Sequence, residues 1–205
     1  MYWILMGDII KSRNKESKKL VTTFNDLITH LNKKFKPEIL SPLTITLGDE
    51  FQGILKSKNA GIRVIIEAEE WLLPKNETIE IRYVLNYGQV DTEINKKIAH
   101  GMLGPGLTET RQLLDELKHR EERYWVGQKG EMDIKTTSLF VIMQGITIDW
   151  KNEKRRIASL FLELNDYKLV AKALGKGISL LWKREKSLRI KEYKLLKTLL
   201  ISDEV

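Results

Sequence analysis

The sequence predicts an α+β fold: a βαββαβ unit followed by a small all-α segment. Three observations predict it. Short apolar runs and helically spaced apolar residues alternate in the order β-α-β-β-α-β over the first half of the chain. The last quarter repeats at helical spacing alone. Charge divides the chain in the same way: residues 1–150 hold 21 Lys+Arg and 21 Asp+Glu, whereas residues 151–205 hold 14 and 7, so the net charge of +7 resides in the final segment.

Residues 2–10 form an apolar run too short for a helix and interrupted by Gly7-Asp8, which reads as a buried strand. Residues 15–36 place Leu20, Phe24, Leu27, Ile28, Leu31 and Phe35 on one helical face before Pro37 and Pro42 break the pattern. Residues 43–47 and 51–55 are two short strands joined by a Gly48-Asp49 turn. A second helix over 59–73 carries Ile62, Ile65, Ile66 and Leu72 and ends before Pro74, and residues 79–90 alternate as a strand. This order is the split βαβ, or ferredoxin-like, unit. Gly104-Pro105-Gly106 then opens a helix containing Leu107, Arg111, Leu114 and Leu117; Tyr124-Trp125-Val126 is a further strand; residues 136–148 form a helix. The change in charge places a domain boundary at 145/146, giving an α/β domain over 1–145 and a basic helical domain over 146–205.

In the basic segment, residues 151–164 form a helix with Ile157, Leu160, Phe161 and Leu164 inward. Asp166 caps a second helix carrying Leu169, Val170, Ala171 and Leu174, Gly175-Lys176-Gly177 turns the chain, and residues 178–186 form a third helix with Leu181 and Trp182 apolar. A small residue at 171, glycine at 175 and an apolar residue at 181 match helix-turn-helix spacing, because two helices must cross closely around a tight turn. On that reading Ser179, Lys183 and Lys186 face DNA, with Arg184 and Arg189 on phosphates. The third helix has no Asn or Gln to read adenine.

Composition excludes several classes. The chain has 205 residues and no cysteine, so disulfides and thiolate metal sites are out. No apolar stretch approaches the ~20 residues that span a bilayer, and the N-terminus lacks the basic region of a signal peptide, so a cytoplasmic protein without membrane contact is expected. P-loop, Rossmann and Ser-His-Asp patterns are absent, and His30, His100 and His119 show no metal-ligand spacing.

Chemistry concentrates in two acidic motifs, Gly7-Asp8-Ile9-Ile10-Lys11-Ser12-Arg13 and Leu47-Gly48-Asp49-Glu50-Phe51-Gln52-Gly53. In the split βαβ topology the first strand lies beside the hairpin, which brings its end to the hairpin tip. Asp8 and Asp49 then offer hard oxygen ligands for Mg²⁺ or Mn²⁺, with phosphates completing the shell. Backbone amides after Asp8 can cradle those phosphates, and Lys11 and Arg13 add positive charge.

These two motifs, with the Gly-Pro before a helical Arg111, resemble the SatD family of bacteria and archaea over most of the chain. That family is more remotely similar to the palm domain of class III nucleotide cyclases and GGDEF-type diguanylate cyclases. The resemblance implies a nucleotide-cyclase/palm-like domain followed by a helix-turn-helix. It implies Asp8 and Asp49 as metal ligands, Ile9 as a carbonyl donor and Glu50 as a further carboxylate. A nucleotide would be held by Ile9, Ile10, Lys11, Ser12, Arg13, Gly48 and Arg111. Leu103 stands where SatD-like chains often carry an acidic residue. The functional expectation is a nucleotide-responsive DNA-binding regulator. The alternative is a two-metal nucleotidyl cyclase or transferase acting on a nucleoside triphosphate, which in this architecture works as a homodimer.

Overall fold

The computed structural model describes residues 1–10, 18–46, 48–75, 79–128 and 130–202. Its centre is β1 (Tyr2–Ile9), in which the six residues from Ile4 onward are all buried. β1 lies between β3 (Glu50–Leu55) and β4 (Ile81–Gly88), antiparallel to both, and β2 (Ile39–Ile45) flanks β3. β5 (Tyr124–Gln128) joins β4 in parallel, and β6 (Glu131–Met132) closes the order β2-β3-β1-β4-β5-β6. With α1 (Lys18–Lys34) between β1 and β2, and α2 (Lys58–Leu72) between β3 and β4, the first four strands form the ferredoxin-like unit expected from the pattern.

Side-chain alternation along β1 sorts the core into two layers. Leu5 and Ile9 join the larger cluster with Phe24, Leu27 and Leu31 of α1 and Ile62, Ile65 and Ile66 of α2. Ile4 and Met6 join a second cluster with Val84, Trp125 and, from α3 (Pro105–Leu117), Leu107, Leu114 and Leu117. Asp8 is next in the Ile4–Met6 series, so the sheet delivers it to the α3 side. Gly7 has a packing role: a Cβ there would meet the Phe51 ring at 2.6 Å and the Arg82 carbonyl at 2.9 Å. Its absence lets Phe51 and Tyr83 pack edge-on above β1, with ring centroids 6.4 Å apart.

The second half of the chain is helical. α4 (Ile134–Thr147) starts at Asp133, whose carboxylate accepts from the Thr136 amide at 3.0 Å. α5 (Glu153–Leu164), α6 (Tyr167–Leu174) and α7 (Ile178–Ser187) follow. Asp166 caps α6, as the sequence predicts, and Gly175 ends it in the left-handed conformation at φ 61°. Val170, Ala171 and Leu181 are buried where α6 and α7 cross. Leu169 and Trp182, grouped with the apolar positions in the sequence, are exposed instead.

The periodicity gave no assignment to residues 190–202, which form α8 (Ile190–Ser202). Leu195 and Leu199 face solvent while Tyr193 and Leu200 are buried, so apolar residues occur on several sides and blur the repeat. α8 packs against α2 and α4. Lys197 contacts both Glu70 carboxylate oxygens at 2.8 Å, and the Trp150 indole donates to the Leu188 carbonyl at 2.9 Å. Trp150, Phe161, Leu181 and Tyr193 thereby belong to the same cluster as the sheet core. The charge-based boundary at 145/146 lies inside α4. No helix among the described residues is long and apolar enough to cross a membrane.

The close approach of α3 to β4 depends on two glycines. A Cβ on Gly106 would meet Gly88 Cα and the Gln89 amide nitrogen at 2.6 Å, both of them backbone that cannot rotate away. Gly106→Ala is expected to lower unfolding free energy by about 1–3 kcal/mol, measured by urea denaturation.

Candidate functional site

The site begins as one row across the sheet. Asp8 is in register with Glu50 on β3 and with Arg82 on β4, and neighbouring residues in register share a face. Two carboxylates and a guanidinium therefore stand side by side at the end of β1. α3 lies over the same face and adds Arg111 together with Lys118, the residue that caps its C-terminus. They are seven residues apart, two helical turns, and project on one side.

Asp8 and Glu50 are neutralised unequally. The Arg111 guanidinium pairs directly with Glu50, and Lys118 Nζ lies 3.3 Å from Glu50 Oε1 and 2.7 Å from Asp115 Oδ1. Among the described residues Asp8 pairs with Arg82 alone, at 3.4 Å and 3.5 Å from its two oxygens, contacts at the long limit of a hydrogen bond. Burial raises the Asp8 carboxyl above its ordinary value, and nearby Glu50 adds to the rise. Arg82 and Lys118 oppose the shift without cancelling it. Burial also disfavours the Lys118 charge, but its bond to Asp115, followed by the fields of Asp115, Glu50 and Asp8, raises it overall.

Asp49 and Gly48 form the adjoining turn. Gly48 has φ 83°, a conformation that favours glycine, and the Asp49 carbonyl accepts from the Ile9 amide at 2.9 Å. Pairing thus continues one residue beyond the Asp8–Glu50 row and sets Asp49 opposite Ile9. The Ile10 amide donates to the Glu80 carbonyl at 2.8 Å. Lys11, Ser12 and Arg13 lie outside the described residues. Asn86, fully buried, donates to Glu109 at 2.8 Å and to Thr110 at 3.2 Å, which ties α3 to β4.

The donor set suits a hard divalent ion. Among the described residues no group of three or more His, Cys, Asp or Glu converges. Protein ligands would then come from one or two carboxylates, with phosphate and water completing the shell, which is how Mg²⁺ is usually held beside a nucleotide.

Sequence reasoning missed Arg82 and Lys118. The strand predicted over 79–90 held the signal for Arg82, since antiparallel pairing with the first strand sets residue 82 across from residue 8. Lys118 was detectable only as a helical repeat from Arg111. Elsewhere, Ser179, Lys183, Arg184 and Lys186 are exposed on α7, and Arg189 is exposed in the link to α8. Lys186 Nζ sits 3.8 Å from the centroid of the Trp182 ring.

A family model described as the SatD family matches residues 2–199. The chain belongs to the SatD family. Among solved structures, this SatD-family chain is similar to a bacterial light-regulated adenylyl cyclase at 16% identity and a TM-score of 0.46, with 60% of this chain and 73% of that chain covered. No curated protein matches.

Asp8 links the site to stability. Its raised value means the folded state holds the proton more tightly than the unfolded state. Stability from this group is therefore retained at low pH and lost as pH rises from the unfolded value of 3.8 through the folded one. Asp8→Asn is expected to raise unfolding free energy at pH 7, with a gain that shrinks as pH falls through that window; denaturation across pH checks it.

Proposed function

We propose that the Asp8 end of the sheet binds a nucleoside triphosphate together with Mg²⁺ or Mn²⁺, and that the protein is a nucleotidyl cyclase or transferase. The observation that carries this reading is the in-register pair Asp8–Glu50 beside the Gly48-Asp49 turn. It sets a buried, weakly neutralised carboxylate at a strand end where hairpin carboxylates can join it. Asp8 and Asp49 would hold the cation, with Glu50 beside them. Arg111 and Lys118, which pair with Glu50, would take phosphate oxygens instead. The bound cation would activate an attacking hydroxyl and stabilise the leaving pyrophosphate. In this architecture the reaction is expected to require a homodimer.

A second reading rests on its own observation. α6 and α7 meet at Ala171 and Leu181 after the Gly175 turn and leave Ser179, Lys183, Arg184, Lys186 and Arg189 exposed, which supports a helix-turn-helix reading. We propose DNA as the partner of this surface, so that nucleotide occupancy at the first site regulates DNA binding by the basic C-terminal helices.

Each reading has its own measurement. Each ribonucleoside triphosphate with Mg²⁺ or Mn²⁺ is assayed for saturable thermal stabilisation and for a chromatographic product. Asp8→Ala and Asp49→Ala are each expected to weaken binding at least ~10-fold and to abolish product; stabilisation equal to wild type in both variants would sink the proposal. For DNA, Lys183→Ala and Lys186→Ala are expected to weaken binding across all sequences and to reduce the salt dependence by roughly one unit of slope per lost phosphate contact. An unchanged slope removes α7 from the interface.

A further inference from the structure

A cavity of about 600 Å³ lies where the sheet meets the C-terminal helices, within the range of about 300–1,000 Å³ usual for small-ligand sites. Its walls come from the start of β4, the ends of α2 and α4, the loop before β5, and the starts of α5 and α8. Four arginines line it, Arg82, Arg120, Arg123 and Arg155, against three glutamates, Glu69, Glu80 and Glu121.

The charges are not matched pairwise. Arg123 and Glu69 form a closed unit, with Nη1 at 3.1 Å from one carboxylate oxygen and Nη2 at 3.0 Å from the other. Glu80 and Glu121 are exposed, where water screens them. Arg155 is different. Its Nη2 donates to the Leu72 carbonyl at 2.9 Å, its Nε is buried with no acceptor, and no carboxylate among the described residues pairs with it. Burial lowers its ordinarily high value, although Glu69 and Glu80 oppose this. Arg155 is half-buried, and a guanidinium drawn out of water with an unanswered Nε and no directly paired carboxylate is costly unless an anion meets it. Arg120 stands at the mouth, half-exposed, 3.8 Å from Glu116. Leu72, Leu73, Ile79 and Ile148 supply apolar wall.

We propose that this cavity binds a small anionic ligand whose phosphate or carboxylate sits on Arg155 and Arg120 and whose apolar part fills the remaining space. Arg82 belongs to both places: it lines the cavity and provides the long contact to Asp8. An anion in the cavity competes with Asp8 for this guanidinium and so connects the junction of sheet and helices to the acidic strand end. The site itself stands apart from the nucleotide reading; only this connection rests on it.

Calorimetric titration of the full-length protein without divalent metal tests the proposal, using inorganic phosphate, pyrophosphate and citrate as separate probes. At least one is expected to bind saturably, and which one distinguishes phosphate from carboxylate chemistry. Arg155→Met is expected to weaken that binding at least ~10-fold, Arg155→Lys less so because it keeps the charge and loses the planar fork. Arg120→Met, at an exposed position that leaves the fold intact, is expected to weaken it as well. Asp8→Asn, by releasing Arg82, is expected to tighten it. No saturable binding at millimolar probe, or binding untouched by changes at both Arg155 and Arg120, overturns the site. Weaker binding in Asp8→Asn overturns the competition between the anion and Asp8 for Arg82. Unchanged affinity in that variant removes Arg82 from the site. Metal-dependent nucleotide binding retained in Arg155→Met separates failure here from failure of the nucleotide reading.

Discussion

The position of β1 is the constraint on which the rest of the structure depends. A strand paired on both edges and covered on both faces has no freedom to slide, because a shift of one residue would exchange every side chain between faces. That register fixes Gly7 under Phe51 and Tyr83, and it fixes Asp8 between Glu50 and Arg82. The carboxylate is thus held in place by the packing of Ile4, Met6, Leu5 and Ile9, none of which has any chemistry of its own. Burying Asp8 in this row disfavours its charged form, a cost the hydrophobic faces of β1 offset.

α3 is the second structural determinant. It approaches the sheet only because Gly88 and Gly106 lack side chains, and Asn86 secures it through Glu109 and Thr110. Once docked, it contributes Leu107 and Leu114 to the core and Arg111 and Lys118 to the acidic row. Packing and electrostatics are therefore coupled: displacement of the helix would remove two cations from beside Glu50. The C-terminal helices attach through Glu70 with Lys197, through the Trp150–Leu188 bond and through a hydrophobic cluster continuous with the sheet core. Their position relative to the sheet thus rests on apolar burial as well as charge, and the arginine-lined cavity occupies the same junction.

Local patterns determined much of this protein. Alternating and helical periodicities, proline breaks and the Gly48-Asp49 turn defined the βαββαβ order, because each depends on near neighbours alone. The Asp166 cap, Gly175 and Leu181 defined α6 and α7 for the same reason. The acidic motifs pointed to Asp8 and Asp49, with Glu50 as a further carboxylate, since the turn between two strands is written in adjacent residues; strand register is what sets Glu50 across from Asp8 and Asp49 opposite Ile9. Tertiary structure decided the rest. Arg82 and Lys118 lie 74 and 110 positions beyond Asp8, and only strand register and helix docking bring them to it. α8 has apolar residues on several sides, so only its contacts with α2 and α4 select the buried face. The cavity follows the same rule, for its walls come from segments that share no local signal and meet only after the chain has folded.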